Sequence, residues 1–165
     1  MKYADTYSKL VEFGRELLRK PSLREGLPLI SKYAKDVIHA DRCSVFIYDL
    51  DKKELWTTLA DGVEKITVAS DKGIVGHTLS AKKPILENEP YKNIHFLTEI
   101  DKETLYTTHN IITAPIFDSK RQIIGILELL NKEGGFDMDD VKFITFFANY
   151  VSGSLELVLM NQKVN

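Results

Sequence analysis

Two apolar segments joined by a short polar turn constrain the fold of this chain more than any other feature. Residues 111–117 and 123–130 are rich in isoleucine, and the polar residues 118–122 between them suit the turn of a β-hairpin. The second segment shows little polar–apolar alternation, which indicates a central strand covered on both faces. Glu128 interrupts this segment, and a carboxylate there needs a partner. The sequence therefore predicts a sheet whose central strand carries one carboxylate.

Composition favours a soluble, cytoplasmic protein. The chain has 165 residues, 44% of them hydrophobic, which is enough for one domain with a substantial core. Its 22 basic and 24 acidic residues give a net charge of -2, and no strong charge run predicts a nucleic-acid or membrane partner. The single cysteine, Cys43, excludes an intramolecular disulfide and fits a reducing compartment. No apolar run approaches the length needed to cross a bilayer, and the charged N-terminus is not a signal peptide.

The remaining periodicity predicts helices on one face of a mainly antiparallel sheet, with a short helix and loops on the other. Pro21 ends the first helical pattern and Pro84 ends the short helix. The predicted helices cover residues 3–20, 27–39, 74–81, a turn at 101–108, and 137 to at least 162. The predicted strands outside the hairpin cover residues 43–48, 54–59 and 63–70, and residues 87–100 form a loop-rich insertion, which with the turn at 101–108 makes a lid. This arrangement describes a ligand pocket better than an active site.

No catalytic motif is present. The chain has no GxSxG, P-loop, HExxH or cysteine pair, and its histidines (39, 77, 95 and 109) lack metal-ligand spacing. Cys43 lies inside an apolar strand, where packing is the expected role. We therefore predict no catalytic residue, no metal site and no enzyme activity.

Several polar groups are candidates to line a pocket. The amides of Ile74 and Val75 at the start of a helix could bind an anion, or the glycines of GIVGH could only permit a tight turn and close packing. Asp101, Thr104 and Thr108 share one face if the helix continues, or Asp101 is an N-cap and the threonines face solvent.

Glu128 also has two interpretations. It accepts hydrogen bonds from a ligand such as a purine ring, or it pairs with a lysine at the end of the sheet.

Three motifs resemble a GAF domain: GIVGH at 73–77, THNIITAPI at 108–116, and the hairpin ending GILELLNK with Phe136 and Asp140 beyond it. They span residues 43–140 in the order and spacing of the family. Within the family, the chain is most similar to the cyclic-nucleotide-binding GAF modules of phosphodiesterases and adenylyl cyclases. The resemblance implies a GAF/PAS-like α+β fold, with a central antiparallel sheet of about six strands. It further implies a single domain over 1–165, divided into N-terminal helices (1–40), sheet and pocket (43–136) and a C-terminal signalling helix (137–165).

The resemblance also implies roles for individual residues. In the cyclic-nucleotide relatives, ligand contacts are made at the positions that match Ser44, Asp61, Asp101, Thr104, Thr108 and Glu128. With Ile74 and Val75 they form the candidate ligand-binding set. Asn131, Lys132, Phe136 and Asp140 match a signature in which the Lys and the Asp pair and stabilise the pocket. Asp140 could instead complete a capping box with Asp137.

This chain departs from the relatives at some positions. Val141 replaces an acidic residue, and Ala60 and Leu97 replace two aromatic residues, although Phe96 and Tyr106 are near enough to substitute for the second. The cysteines used by free-methionine-sulfoxide reductases and bilin-binding relatives are missing.

We expect a regulatory module that binds a small molecule, with a cyclic nucleotide as the leading ligand and no other cofactor. The C-terminal helix has apolar positions on more than one stripe, which predicts a homodimer through the terminal helices. We expect these helices to pass the signal to an effector domain or partner protein. A monomer is the alternative. One rival is a ligand-free dimerisation module whose pocket is filled by Phe96 and Leu97. Another is a haem or iron sensor, which requires His77, His95 or His109 to face the pocket.

Overall fold

The computed structural model describes residues 4–20, 22–57, 66–104 and 106–164, with side chains from residue 7 to residue 161 except 103 and 104. Asp61 lies outside the described residues, as does the side chain of Thr104. The helices are α1 (Ala4–Leu18), α2 (Leu23–Ile38), α3 (Gly73–Ala81), α4 (Thr98–Thr104) and α5 (Met138–Val164), with a 3-10 turn at Pro90–Lys92. The strands are β1 (Ala40–Asp49), β2 (Glu54–Thr57), β3 (Ile66–Ala69), β4 (Ile85–Glu87), β5 (Ile111–Phe117) and β6 (Ile123–Lys132).

The six strands form one antiparallel sheet in the order β3-β2-β1-β6-β5-β4. The predicted central position of the second hairpin strand is correct, because β6 lies between β1 and β5. The hairpin turn is closed by the amide of Asp118, which donates to the carbonyl of Gln122. The predicted α+β class with a six-stranded antiparallel sheet is therefore confirmed.

Three helices cover one face of the sheet. Side chains alternate along β1, so Cys43, Val45 and Ile47 point to this face. They join the buried residues of α1, α2 and α5, including an aromatic group in which Phe13 and Phe147 have centroids 5.4 Å apart. We call this the helix-side core.

The opposite face carries α3, the 3-10 turn and α4. A smaller cluster of buried residues lies here: Phe46, Leu55, Val68, Val75 and Ile126. Leu97 and Ile100 pack against this lid-side cluster from residues 87–108, which we call the lid. The two-sided arrangement inferred from the sequence is the observed one.

Some element boundaries differ from the sequence-based predictions. Helix α2 begins at Leu23 and includes Pro28 as its sixth residue, where the proline cannot donate the usual hydrogen bond to the carbonyl four residues earlier. Strand β4 was not predicted, since Ile85–Glu87 is short and lies at the edge, where pairing to β5 makes the strand. Helix α4 begins before Asp101 and ends at Thr104, so the predicted turn at 101–108 is wrong for its second half.

The expectation that no apolar segment is long enough to cross a bilayer is wrong for α5. Its 24-residue segment Met138–Asn161 is long and apolar enough to cross a bilayer by length and composition alone. A core helix can meet the same criterion, and one side of α5, including Phe147 and Val151, is fully buried in the helix-side core. Its other side leaves Phe146 and Leu157 exposed.

Candidate functional site

A row of three polar side chains crosses the centre of the sheet on the lid side. Strand pairing places Ser44 of β1 and Thr113 of β5 on either side of Glu128 of β6. Directly opposed residues have Cβ atoms about 5 Å apart, so the three side chains are neighbours. Ser44 and Thr113 are buried, while Glu128 is partly accessible. This polar row is the centre of the candidate site.

Glu128 is an unpaired acid at the middle of the row. In the part of the chain that the structure describes, its carboxyl accepts no hydrogen bond, and none of the described lysines pairs with it. Burial raises the pKa of Glu128 to about 7, and nearby Asp101 adds to the effect. A group that titrates near neutrality without an internal partner is suited to meet a ligand.

The hydroxyl of Thr113 is hydrogen-bonded to another residue of the protein. Its hydroxyl lies 2.6 Å from that of Thr78 on α3, and Thr78 donates its own proton to the carbonyl of Ile74 at 2.7 Å. Thr113 must therefore donate to Thr78, and no hydroxyl proton is left for Glu128. The pair fixes α3 to the sheet beside the polar row.

Asp101 joins two parts of the lid through hydrogen bonds. One carboxyl oxygen accepts the Tyr91 hydroxyl at 2.5 Å and the Thr108 amide at 2.8 Å, and the other accepts the Thr108 hydroxyl at 2.8 Å. Asp101 is the fourth residue of α4 rather than its N-cap, and Thr108 lies beyond the helix instead of sharing its face. The structure thus brings Asp101 and Thr108 together by a different geometry from the predicted one.

The start of α3 fits both interpretations of GIVGH. Gly73 has a φ of +74°, and a Cβ on Gly76 would lie 2.9 Å from the Ser70 carbonyl oxygen, so both glycines are needed for the turn and the packing. Lys72 caps the helix without a side-chain hydrogen bond. The amides of Ile74 and Val75 belong to the first turn, where helices have no internal acceptors, and both side chains are buried.

Asn131 fastens the end of the lid to β6. Its side-chain oxygen accepts the His109 amide at 2.6 Å, and its side-chain nitrogen donates to the Tyr106 hydroxyl and the Thr107 carbonyl, each at 2.8 Å. Asn131 has a φ of +61°, a conformation that asparagine tolerates better than most residues. It lies outside the polar row and stabilises the lid from its edge.

Lys132 and Asp140 form the ion pair implied by the family resemblance. Their Nζ and Oδ1 atoms are 2.7 Å apart. The capping box is also present: the Asp137 amide donates to Asp140 and the Asp140 amide donates to Asp137, both at 2.9 Å, and the latter bond lowers the pKa of Asp137. The two interpretations of Asp140 are therefore compatible, and one carboxylate joins the end of β6 to the start of α5.

Phe136 is buried in the helix-side core. Its backbone is held by Asn88 at the start of the lid, which donates to the Phe136 carbonyl at 3.1 Å and accepts its amide at 3.0 Å. Both ends of the lid are thus bonded to the segment where β6 leads into α5.

Sequence reasoning missed four residues near the site: Arg42, Thr78, Tyr91 and Thr113. The strand pattern could have identified two of them as facing the lid. Arg42 lies on the same face of β1 as Ser44 because side chains alternate, and Thr113 is paired with Glu128. The guanidinium carbon of Arg42 lies 3.7 Å from the centroid of the Tyr106 ring. Burial and a hydrogen bond to Asp41 raise the pKa of Tyr106. No sequence pattern connected Thr78 or Tyr91 to partners that lie far along the chain.

The structure separates the two residues named as pocket fillers. Leu97 packs over Gly73 and joins the lid-side cluster, whereas Phe96 makes an edge-on contact with Tyr91 at a centroid distance of 5.1 Å. His77 stacks on His95, and no group of three or more potential metal ligands occurs among the described residues.

Comparison with known proteins identifies the family of this fold. The GAF domain profile matches residues 22–155. The chain is 25% identical over 150 residues to a probable 3',5'-cyclic phosphodiesterase, pde-5, of Caenorhabditis elegans, covering 82% of this chain but only 20% of that protein. The chain thus spans about a fifth of the length of this relative.

Solved structures agree on the fold. The GAF domain of a phosphoenolpyruvate-protein phosphotransferase from Coxiella burnetii superposes with a TM-score of 0.81 at 19% identity, over 93% of this chain and 94% of that one. Free methionine-R-sulfoxide reductase of Neisseria meningitidis, in complex with its substrate, superposes with a TM-score of 0.75 at 15% identity, over 92% and 89%. GAF domains are regulatory and sensory modules of signalling proteins, commonly found with effector domains. Because the profile match covers most of the chain, this protein belongs to the GAF domain family.

Proposed function

We propose that this protein is a non-catalytic sensor that binds a small molecule between the polar row and the lid, and that binding changes the geometry of its terminal helices. The observation that carries the proposal is the pair Ser44 and Glu128. These neighbours lie side by side on the sheet, and neither side chain has a hydrogen-bond partner among the described residues. The fully buried, unpaired side-chain atoms of the described residues do not include those of Ser44 or Glu128, so water or a ligand can reach both. An accessible, unpaired hydroxyl beside an unpaired acid indicates a place for ligand atoms.

The chemistry of the site favours a ligand with hydrogen-bond donors near Glu128 and an acceptor or anionic group near α3 or Arg42. An ionised carboxylate only accepts hydrogen bonds, while a helix N-terminus and a guanidinium group only donate them. A cyclic nucleotide has both kinds of group, with amino or imino donors on its base and a charged phosphate. It is our leading candidate, and the likeness to a probable cyclic phosphodiesterase supports it.

The contacts of the lid provide a route from the ligand to α5. Asp101 joins Tyr91 to Thr108 within the lid, while Asn88 and Asn131 bind its two ends to the segment that precedes α5. A ligand that moves the lid would therefore act on the start of this helix. The effector would be a further domain or a partner protein, as in signalling proteins that contain GAF domains.

The exposed side of α5 supports a homodimer. Phe146, Tyr150, Leu157 and Met160 are exposed apolar residues spaced at three-, four- and seven-residue intervals. Such spacing forms a stripe that a second helix can cover. Tyr7, Val11 and Leu18 of α1 are exposed as well and enlarge the apolar surface.

The test is a thermal-shift screen against cyclic AMP, cyclic GMP, other nucleotides and free amino acids, followed by calorimetry. A ligand at a hundred times its dissociation constant stabilises the protein by about 2.7 kcal/mol, which is several degrees for a domain of this size. We expect Glu128→Ala and Ser44→Ala to abolish the shift, while Lys120→Gln, in the hairpin turn, retains it. A complete screen without any shift contradicts the proposal.

A second function, a ligand-free dimerisation module, is favoured by the packing of Leu97 and Ile100. Both residues of the lid already contact the lid-side cluster, as expected if the pocket is filled by the protein itself. This function predicts a stable dimer in solution, no response to any compound, and no effect of Glu128→Ala on dimerisation.

A further inference from the structure

Two histidines that are far apart in the sequence stack where the lid meets α3. The rings of His77 on α3 and His95 in the lid have centroids 4.0 Å apart and planes 7° from parallel. Helix α3 is fixed to the sheet by the bond between Thr78 and Thr113, whereas His95 lies in the loop between the 3-10 turn and α4. The stack therefore joins a fixed element to the covering segment.

The same loop makes a second contact with α3. A Cβ on Gly73 would lie 3.2 Å from Cδ1 of Leu97, so Leu97 covers the start of the helix closely. The His95 amide donates to the Asn93 side chain at 2.8 Å, and Asn93 donates to Glu87 at 2.8 Å, which shapes the loop.

We propose that the His77–His95 stack is a proton-sensitive latch, which holds the lid against α3 at neutral pH and releases it in mild acid. The latch acts on the ligand-free protein and does not depend on the identity of the ligand.

The charges around the stack favour neutral rings. Burial lowers the pKa of His77, and His95 and Lys83 lower it further. Because this pKa is below the ordinary value of 6.5 when the lid is closed, the open state binds a proton first as the pH falls. The closed lid therefore loses stability as the pH falls below about 6.5 and keeps it at higher pH.

Other titratable groups face the lid and must be separated from the latch. Asp101, Glu87, Glu89 and Lys92 are held in hydrogen bonds within it, and Glu128 lies below it with a pKa of about 7. Protonation of Glu128 removes a buried charge and so has the opposite sign, stabilising the closed form in acid. The variant Glu128→Gln isolates the histidines from this effect.

Hydrogen-exchange mass spectrometry at pH 7.5 and 5.5, corrected for the intrinsic pH dependence of amide exchange, tests the latch. In the Glu128→Gln variant, which removes the opposing effect of Glu128, we expect peptides from the lid to exchange faster in acid, by at most about tenfold, the limit for one group with an ordinary pKa near 6.5. Peptides from β6 and α5 remain unchanged. Added to Glu128→Gln, His95→Phe retains a flat ring without a proton and should reduce the pH dependence, while His39→Asn should leave it unchanged.

Nuclear magnetic resonance titration of the imidazole protons gives an independent measurement on the wild-type protein. His77 should titrate below pH 6.5, and the His95→Phe variant should raise its pKa because one neighbouring positive charge is removed. The proposal is overturned if lid exchange in Glu128→Gln is the same at both pH values, or if adding His95→Phe to that variant leaves the full pH response.

Discussion

The two faces of the central strands differ in chemistry, although successive residues of the same strands point to them in turn. On the helix side, Val45, Ala114 and Leu127 are at most 1% exposed and pack with side chains of the helices. On the lid side, the neighbouring positions Ser44, Thr113 and Glu128 form the polar row. Because successive side chains point to opposite faces, a strand can stabilise the fold with one residue and present a binding group with the next. The comparison teaches that stability and ligand binding can be altered separately.

The largest effect is expected on the helix side. Phe147 is fully buried and contacts Phe13 and Tyr33, so Phe147→Ala should lower the free energy of unfolding by about 3–5 kcal/mol through lost burial and a cavity. Chemical denaturation measures it. Phe146→Ala is the matched control, because the neighbouring ring is 50% exposed. Similar losses in the two variants would contradict the division between the two sides of α5.

On the lid side, removing a polar group should stabilise the protein. Glu128→Gln removes a carboxylate whose pKa is raised from 4.5 to about 7. Folding is penalised when this group must ionise, so the penalty is absent below pH 4.5, grows up to about pH 7 and is constant above it. We expect the variant to be more stable than the wild type by about 3 kcal/mol at about pH 8 and equally stable at about pH 4. A difference that does not vary with pH would contradict this explanation.

The hydrogen bond between Thr78 and Thr113 should behave as a coupled pair on the lid side. Either single change to valine leaves one buried hydroxyl without its partner and should cost about 1–2 kcal/mol. The double variant should cost less than the sum of the two, because no orphaned group remains. A double-mutant cycle by chemical denaturation measures the coupling. Additive losses would indicate that the two hydroxyls act independently.

The smallest effect on stability should come from the exposed stripe of α5. Leu157 is 56% exposed, so Leu157→Glu should change the free energy of unfolding by less than about 0.5 kcal/mol. In the dimer that we propose, the same change puts a charge into the interface and should produce a monomer. Sedimentation velocity compares it with Asn149→Glu, another exposed position on α5. A chain that is monomeric before the substitution would rule out the dimer.

Local patterns predicted most elements and part of the site. The hairpin, the buried strand at Cys43 and the long C-terminal helix were recognisable because their apolar residues have the period of one element. Glu128 was identified because it interrupts an apolar strand, and Ser44 from the family resemblance; the two residues are neighbours across β1 and β6. Strand β4 and the end of α4 were missed, since three residues of an edge strand have no distinctive pattern and the last residue of a helix depends on contacts of the next segment.

The sequence by itself determined the alternation of faces, the central place of β6 and membership of the GAF domain family. The first two are encoded in residues close together along the chain, and the third in the order and spacing of several short motifs. Only the tertiary structure decided which polar groups are paired. Asp101 is satisfied by Tyr91 and Thr108, and Thr113 by Thr78, while Ser44 and Glu128 find no partner among the described residues. Hydrogen bonding is directional and short-ranged, so it depends on how distant segments meet in space, which no local pattern contains.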